Sequence, residues 1–299
     1  TVEVDKYDVN GNAIKYEYNG ETSTDANKFA SYTEKDAKVT ETEDLTTIKV
    51  TNEYKAPQVT NTVFKKDGDK EITSKDQAVK YTIEYSKTIA DYKGKATVTI
   101  VDTLPFEIDT TKSNIANGTY NKEAKTITWV EEIEVDTFAN NEAKKIEIKK
   151  EIEVVYVGMD VTVGSFTNKA DATLKLDTNN QEEKEDPQEE PTTQNFKKNL
   201  TVVKEWSNDT AAVRPENLTI KVTNTDAITF NKADYSADTN TWSKTVEVDK
   251  YDVNGNAIKY EYNGETSTDA NKFASYTEKD VKVTETEGLT TIKVTNEYK

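Results

Sequence analysis

The sequence predicts an all-β protein made of tandem β-sandwich domains, and three observations carry that expectation. Its patterned stretches alternate at period two and are rich in valine, threonine, isoleucine and tyrosine, residues that favour strands. Only 34% of the 299 residues are hydrophobic. That is thin for one large core but sufficient for several small sandwiches, in which each strand needs a single apolar face. A long internal repeat divides the chain, and no amphipathic helix of ordinary length interrupts the alternation.

The repeat sets the organisation. Residues 1–55 recur as residues 245–299 and differ only at Ala37/Val281 and Asp44/Gly288. Such near-identity implies a recent duplication and a longer array. Each period of 244 residues reads as two domains, residues 56–177 and residues 196–299. Residues 178–195 between them read as an acidic linker. The run from Gln181 to Gln194 has no apolar residue and two prolines, so an extended, solvated segment is expected. Residues 1–55 are the C-terminal half of a domain of the second kind, an incomplete repeat. Half a sandwich has open sheet edges and an uncovered apolar face. This segment is expected to be completed by strands from a preceding repeat or from another copy.

Within the first domain, strands are expected over Val79–Tyr85, Ala96–Ile100 and Lys145–Ile148, each alternating at period two. In the second they are expected over Leu200–Trp206, Leu218–Val222 and Thr291–Thr295. Asn254-Gly255 and Asn263-Gly264 have the composition of two-residue hairpin turns.

Composition excludes several function classes. With 39 basic against 56 acidic residues the net charge is −17, which would repel a phosphate backbone and an anionic membrane surface. No apolar run reaches the length of a membrane span, and no signal peptide opens the chain. The chain is therefore read as a mature or excised fragment. There is no cysteine and no histidine, so no disulfide framework is available and both the commonest zinc ligand and the commonest general base are missing. No enzyme activity, cofactor or metal site is expected. Asp252-Val253-Asn254-Gly255-Asn256 has part of a calcium loop but lacks its carboxylate spacing and distal glutamate; a turn is expected there.

Ordered pieces of the second domain carry a family resemblance. These are Lys204-Glu205-Trp206, Arg214-Pro215 with Leu218–Val222, Thr241–Lys244, Lys250–Ile258, and the closing Val294-Thr295-Asn296-Glu297-Tyr298. The domain resembles the collagen-adhesin B-type domain of Gram-positive surface proteins and pilins. Asp102-Thr103-Leu104-Pro105, Thr126–Trp129 and Thr167–Ala170 make the first domain similar to the conserved-repeat immunoglobulin-like domains of such proteins. The resemblance implies tandem immunoglobulin-like sandwiches in an extracellular, cell-surface structural protein: a fibre, a pilus-like filament or an adhesin stalk. The partners implied are other copies or repeats of the same protein. The alternative is an adhesin whose domains recognise a host or matrix ligand.

The resemblance also implies internal isopeptide bonds, in which a lysine amine attacks an asparagine carboxamide and expels ammonia with help from a buried acid. An apolar site favours the neutral amine and the protonated acid that this needs. In the second domain the matching lysine is Lys204, on the core face with Leu200, Val202 and Trp206, and the matching asparagine is Asn296. The acid position, carried over without a gap, falls on Gly264, beside Glu265. Glu265 would need a bulge to face inward, and Glu285 is its rival. In the first domain Asn168 and Asp102 are the candidates, with Lys65 and Lys66 on the opening strand; Lys65 is preferred because it shares a face with Val63. Asn52 is the partial-repeat counterpart of Asn296.

Overall fold

The structure, a computed structural model, describes residues 1–178, 181–236 and 239–299. It is all-β, with two complete sandwiches and one half. No helix among the described residues is long and apolar enough to cross a membrane.

Residues 1–55 hold a short helix, α1 (Ala26–Ala30), and a hairpin of β1 (Tyr32–Glu41) and β2 (Thr46–Tyr54). The hairpin forms a two-stranded sheet of its own.

The first sandwich begins with β3 (Gln58–Gly68), β4 (Glu71–Ile72), β5 (Ala78–Ala90), β6 (Lys93–Thr103), β7 (Glu107–Ile108) and β8 (Thr119–Asn121). It continues with β9 (Thr126–Asp136), β10 (Lys144–Val157), β11 (Ser165–Leu176), β12 (Glu182–Lys184) and β13 (Gln188–Gln194). One sheet has the order β3-β5-β10-β7 and the other β4-β13-β11-β6-β9-β8, with β12 also on β11. Alternation builds the core. Val79, Tyr81, Ile83, Tyr85 and Ile89 of β5 point inward, as do Ala96, Val98 and Ile100 of β6 and Phe166, Ala170, Ala172, Leu174 and Leu176 of β11. The same inward rows contain three polar residues: Lys87, Asp102 and Asn168 are all buried.

The second sandwich comprises β14 (Lys197–Ser207), β15 (Asn217–Val222), β16 (Ile228–Asn231), β17 (Tyr235–Ser236), β18 (Thr241–Asp249), β19 (Tyr262–Thr266), β20 (Tyr276–Glu285) and β21 (Leu289–Tyr298), with the short helix α2 (Ala270–Phe273). Its sheets run β17-β18-β14-β21-β20 and β16-β15-β19. The first and last strands, β14 and β21, are parallel neighbours. Leu200, Val202 and Trp206 of β14 face Ile292 and Val294 of β21 in one core, and the Trp206 and Trp242 rings meet edge to face.

The expected linker is corrected. Residues 182–184 and 188–194 are strands of the first sandwich: β13 pairs with β11 from Ser165↔Thr193 to Ala170↔Gln188, and β12 pairs with β11 beyond it. Residues 179–180 of that segment lie outside the described residues. An acidic run packs here because basic partners meet it. Lys87 donates to Glu183 at 2.7 Å and lies 2.6 Å from Glu185, while Lys70 bridges to buried Glu190. Backbone ladder bonds replace the missing apolar face.

The two sandwiches therefore adjoin without a free tether. Phe196 joins the first core and meets Tyr251 edge to face. The Tyr251 hydroxyl accepts from the Lys75 N–H at 3.3 Å and shares a hydrogen bond with Ser74 at 3.2 Å. Lys75 donates to the Gly255 carbonyl at 2.8 Å and Lys250 to the Thr73 carbonyl at 2.6 Å.

Lys87→Ala would strand two carboxylates against the core. A destabilisation of about 2–3 kcal/mol is expected, with faster proteolysis at Lys184. Thermal melting and limited trypsin digestion check this; unchanged digestion at Lys184 would contradict the anchoring of this segment by Lys87.

Candidate functional site

In the second sandwich Lys204, Glu265 and Asn296 converge in the core. Lys204 occupies an inward position of β14 between Val202 and Trp206. Asn296 is the last inward residue of the Thr290, Ile292, Val294 row on β21 and pairs in register with Trp206. Lys204 and Asn296 are thus diagonal neighbours on one face of one sheet. Glu265 reaches them from β19 of the facing sheet. The Lys204 amine donates to Glu265 Oε2 at 2.6 Å, and Asn296 donates its amide N–H to Glu265 Oε1. All three side chains are buried, and the Lys204 amine sits 4.9 Å from the centre of the Trp206 ring.

Glu265 faces inward because β19 carries a bulge. Ile220 of β15 pairs with Glu265 while Val222 pairs with Tyr262, so the two strands lose register between them. Gly264 lies inside that step at φ +93°, a conformation that glycine adopts without a Cβ penalty. Asn263-Gly264, expected as a hairpin turn, is this bulge. Asn254-Gly255 does form a turn, closed by the Tyr251↔Ala257 bridge. The rival acid Glu285 is placed elsewhere: it accepts from Lys198 at 2.7 Å and stays half exposed.

The first sandwich assembles the same three chemical groups differently. Asp102 on β6 and Asn168 on β11 come from adjacent strands of the larger sheet, and Asn168 donates to Asp102 at 3.2 Å. The lysine comes from β3 in the other sheet, and it is Lys66, which donates to Asp102. The expectation for Lys65 is corrected: Lys65 lies on the surface, 2.8 Å from Glu84. A bulge explains the inversion. β3 loses register between Thr60 and Val63, with Asn61 at φ 52°. One extra residue exchanges the two faces of a strand. Val63 and Lys65 turn outward, and Phe64 and Lys66 turn in.

Burial sets the electrostatics. It pushes the Lys204 amine down from 10.5 to about 8, against the opposing pull of Glu265. It pushes Lys66 down as well, and raises Asp102, both against their mutual attraction. Burial thus moves each amine toward its uncharged form, and Asp102 toward its neutral form. Beside each amine stands a carboxamide whose Oδ1 is buried without a hydrogen-bond partner, in Asn168 and Asn296 alike. A neutral amine, a proton-bearing acid and an unstabilised amide carbonyl are the components of an acyl transfer from nitrogen to nitrogen.

Two tests follow from this geometry. Gly264→Val places a branched side chain at φ +93° and should cost about 1–3 kcal/mol while displacing Glu265; thermal melting reads the first effect. The second concerns pH. In Asn296→Ala the Lys204 amine stays buried, titrating at about 8 when folded against roughly 10.4 unfolded. Between those values the unfolded chain holds the extra proton, so stability rises as pH climbs from about 8 to about 10.4, by up to roughly 3 kcal/mol. Denaturant titrations should show that slope in Asn296→Ala and lose it in Asn296→Ala/Lys204→Met.

Comparison with known proteins places this chain beside several surface proteins of low identity. No family profile and no curated protein matches it. Among solved structures it is similar to the full-length major pilin SpaD from Corynebacterium diphtheriae, at 14% identity over 80% of this chain and 68% of that one, with a TM-score of 0.33. It is similar to a bacterial adhesin from Mobiluncus mulieris containing intramolecular disulfide, isopeptide and ester bond cross-links, at 12% identity, 82% and 100% coverage and a TM-score of 0.38. It is also similar to a single B repeat unit of the collagen-binding surface protein of Staphylococcus aureus, at 15% identity, 80% and 99% coverage and a TM-score of 0.25.

Proposed function

We propose that this chain is a load-bearing repeat segment of a cell-surface fibre, pilus-like filament or adhesin stalk, locked by intramolecular Lys204–Asn296 and Lys66–Asn168 isopeptide bonds. One observation carries the reading: each complete sandwich buries a lysine and an asparagine on one shared acid, with the lysine on its opening strand. Structural economy does not explain such a cluster. A buried lysine is costly, and hydrophobic replacements of the same volume would stabilise the core at least as well.

The chemistry balances without any co-reactant. The neutral lysine Nζ attacks the asparagine Cγ, and the acid delivers a proton toward the amide as the tetrahedral intermediate forms. The Cγ–Nδ2 bond then breaks, ammonia leaves with the proton lost by the lysine, and the acid is restored. Mechanical consequences come from the topology. A pull on the second sandwich enters at Lys197 and leaves at Tyr298 along two parallel neighbours. With Lys204 joined to Asn296, the load crosses the new bond, and residues 205–295 no longer bear it. In the first sandwich the bond would connect the two sheets and relieve residues 67–167.

The intact protein should be lighter than its sequence mass by about 34 Da, one ammonia of about 17 Da per bond. Lys204→Ala and Lys66→Ala should each remove half of that deficit, whereas Lys65→Ala should leave it intact. Closing a loop of about 90 residues contributes on the order of 4–5 kcal/mol by analogy with disulfides, so Lys204→Ala should also lower the melting temperature markedly. A mass equal to the sequence mass would end the proposal.

A further inference from the structure

The cluster of Lys66, Asp102 and Asn168 leaves one atom of its reaction without support. Asp102 takes the Lys66 amine on one oxygen and the Asn168 amide N–H on the other. The acid therefore stands on the nitrogen side of the carboxamide, where the leaving group departs. Attack on Asn168 Cγ sends the carbonyl electrons onto Oδ1, and that oxygen is buried without a hydrogen-bond partner. An oxyanion developing in a dry core needs a donor already in place.

Tyr81 brings a hydroxyl into this part of the core. In the β3–β5 ladder Gly68 pairs with Tyr81 and Lys66 with Ile83, so Tyr81 and Lys66 are diagonal neighbours on one inward face. The Lys66 amine lies 4.7 Å from the centre of the Tyr81 ring. Gly68 makes room for that ring, because a Cβ there would collide with it. The Tyr81 hydroxyl meets the Tyr156 hydroxyl at 3.1 Å, and both residues are buried. The Tyr156 ring in turn packs edge to face on Phe166, the inward residue next before Asn168 on β11. Burial pushes the Tyr81 phenol up to about 12, and the Asn168 and Thr192 side chains both act on it. Such a phenol keeps its proton at neutral pH. Two phenols bring two protons, and the bond between them uses one; with Tyr156 donating, the Tyr81 proton is left for Asn168. Thr192 has no proton to offer there, since its hydroxyl donates to the Asp69 carbonyl at 2.8 Å.

We infer that the Tyr81 hydroxyl is the oxyanion donor for closure of the Lys66–Asn168 bond, with Tyr156 as its positioning residue. The inference rests on the bond chemistry proposed above. Lys66 Nζ attacks Asn168 Cγ, and the Tyr81 O–H donates a hydrogen bond to Oδ1 as negative charge collects there. The carbonyl re-forms, the Cγ–Nδ2 bond breaks, and ammonia leaves with the lysine proton relayed by Asp102. Tyr81 keeps its own proton throughout. Asp102 thus serves the two nitrogens and Tyr81 the oxygen. The second sandwich contains neither tyrosine, so the Lys204–Asn296 bond is a control within the same molecule.

The test follows both bonds in time. The full chain is made by cell-free synthesis, quenched in acid at intervals, and read by intact mass and peptide mapping. Tyr81→Phe keeps the ring and loses the hydroxyl. Its Lys66–Asn168 bond should close about 10²–10³-fold more slowly, the effect of removing one oxyanion donor, while Lys204–Asn296 closes at the wild-type rate. Tyr156→Phe keeps the donor and loses its orientation, so its first bond should close at a rate between the two. In Asn168→Ala, which cannot close the first bond, adding Tyr81→Phe should leave thermal melting cooperative; loss of that melt would trace the slowing to packing and overturn the assignment. A first bond that closes equally fast in Tyr81→Phe and wild type overturns the donor alone. A Tyr156→Phe chain slower than Tyr81→Phe makes Tyr156 the donor and overturns the role of Tyr81. A wild-type chain that never forms the Lys66–Asn168 bond removes the bond chemistry, and the donor with it.

Discussion

An amine inside a hydrophobic core must find a partner for its charge or give the charge up. Lys66 and Lys204 are held between these outcomes. Each touches one carboxyl group, and each is pushed toward neutrality by burial. Much of the surrounding architecture answers to that constraint. Aromatic rings stand over the amines, Tyr81 at 4.7 Å from Lys66 and Trp206 at 4.9 Å from Lys204, where they exclude water while offering a polarisable face. The acids receive an asparagine amide on the other oxygen, so each carboxyl is engaged on both sides. Removing any one member leaves a buried polar group without its partner, a cost of several kcal/mol.

The two sandwiches meet this constraint with different frames. In the second, lysine and asparagine share one sheet and the acid crosses from the other. In the first, acid and asparagine share a sheet and the lysine crosses. The acid is one methylene shorter there, consistent with its place beside Asn168 on an adjacent strand. What the frames hold in common is a lysine on the opening strand and an asparagine on a late strand of the domain. The repetition is chemical and does not reach to strand order.

Much of this was legible in the sequence. Alternation located the long strands, because one buried face imposes period two on apolar residues. It also marked Lys204 as a polar residue in an apolar row, whereas Asp102 and Asn168 came from the family resemblance. The mistaken residues trace to two physical causes. Bulges at Asn61 and at Asn263-Gly264 each shift the alternation by one residue, which turned attention to Lys65 instead of Lys66 and made an Asn-Gly pair look like a turn. Nothing in hydropathy announces a bulge; a residue suited to positive φ inside a strand, Asn61 or Gly264, is the signal it leaves. The acidic segment 182–194 was missed because its inward side chains are Glu183, Glu185, Glu190 and Thr192, which pair with Lys87, Lys70 and the Asp69 carbonyl. Packing by ion pairs and ladder bonds leaves no apolar trace.

The junction between the sandwiches extends the same logic from domain to array. The loop Lys250–Asn256 is shaped by its own aspartate: the Asp252 side chain accepts from the Asn254 and Asn256 backbones at 2.9 Å each. In the repeat, Asp8 accepts from Asn10 and Asn12 at 2.8 and 2.9 Å. The loop is thus held by its own hydrogen bonds in both copies. Docking then loses little conformational entropy, since the backbone is already ordered. What remains is the fit of Tyr251 against Ser74, Lys75 and Phe196. A contact of this kind fixes the angle between the two sandwiches at low entropic cost.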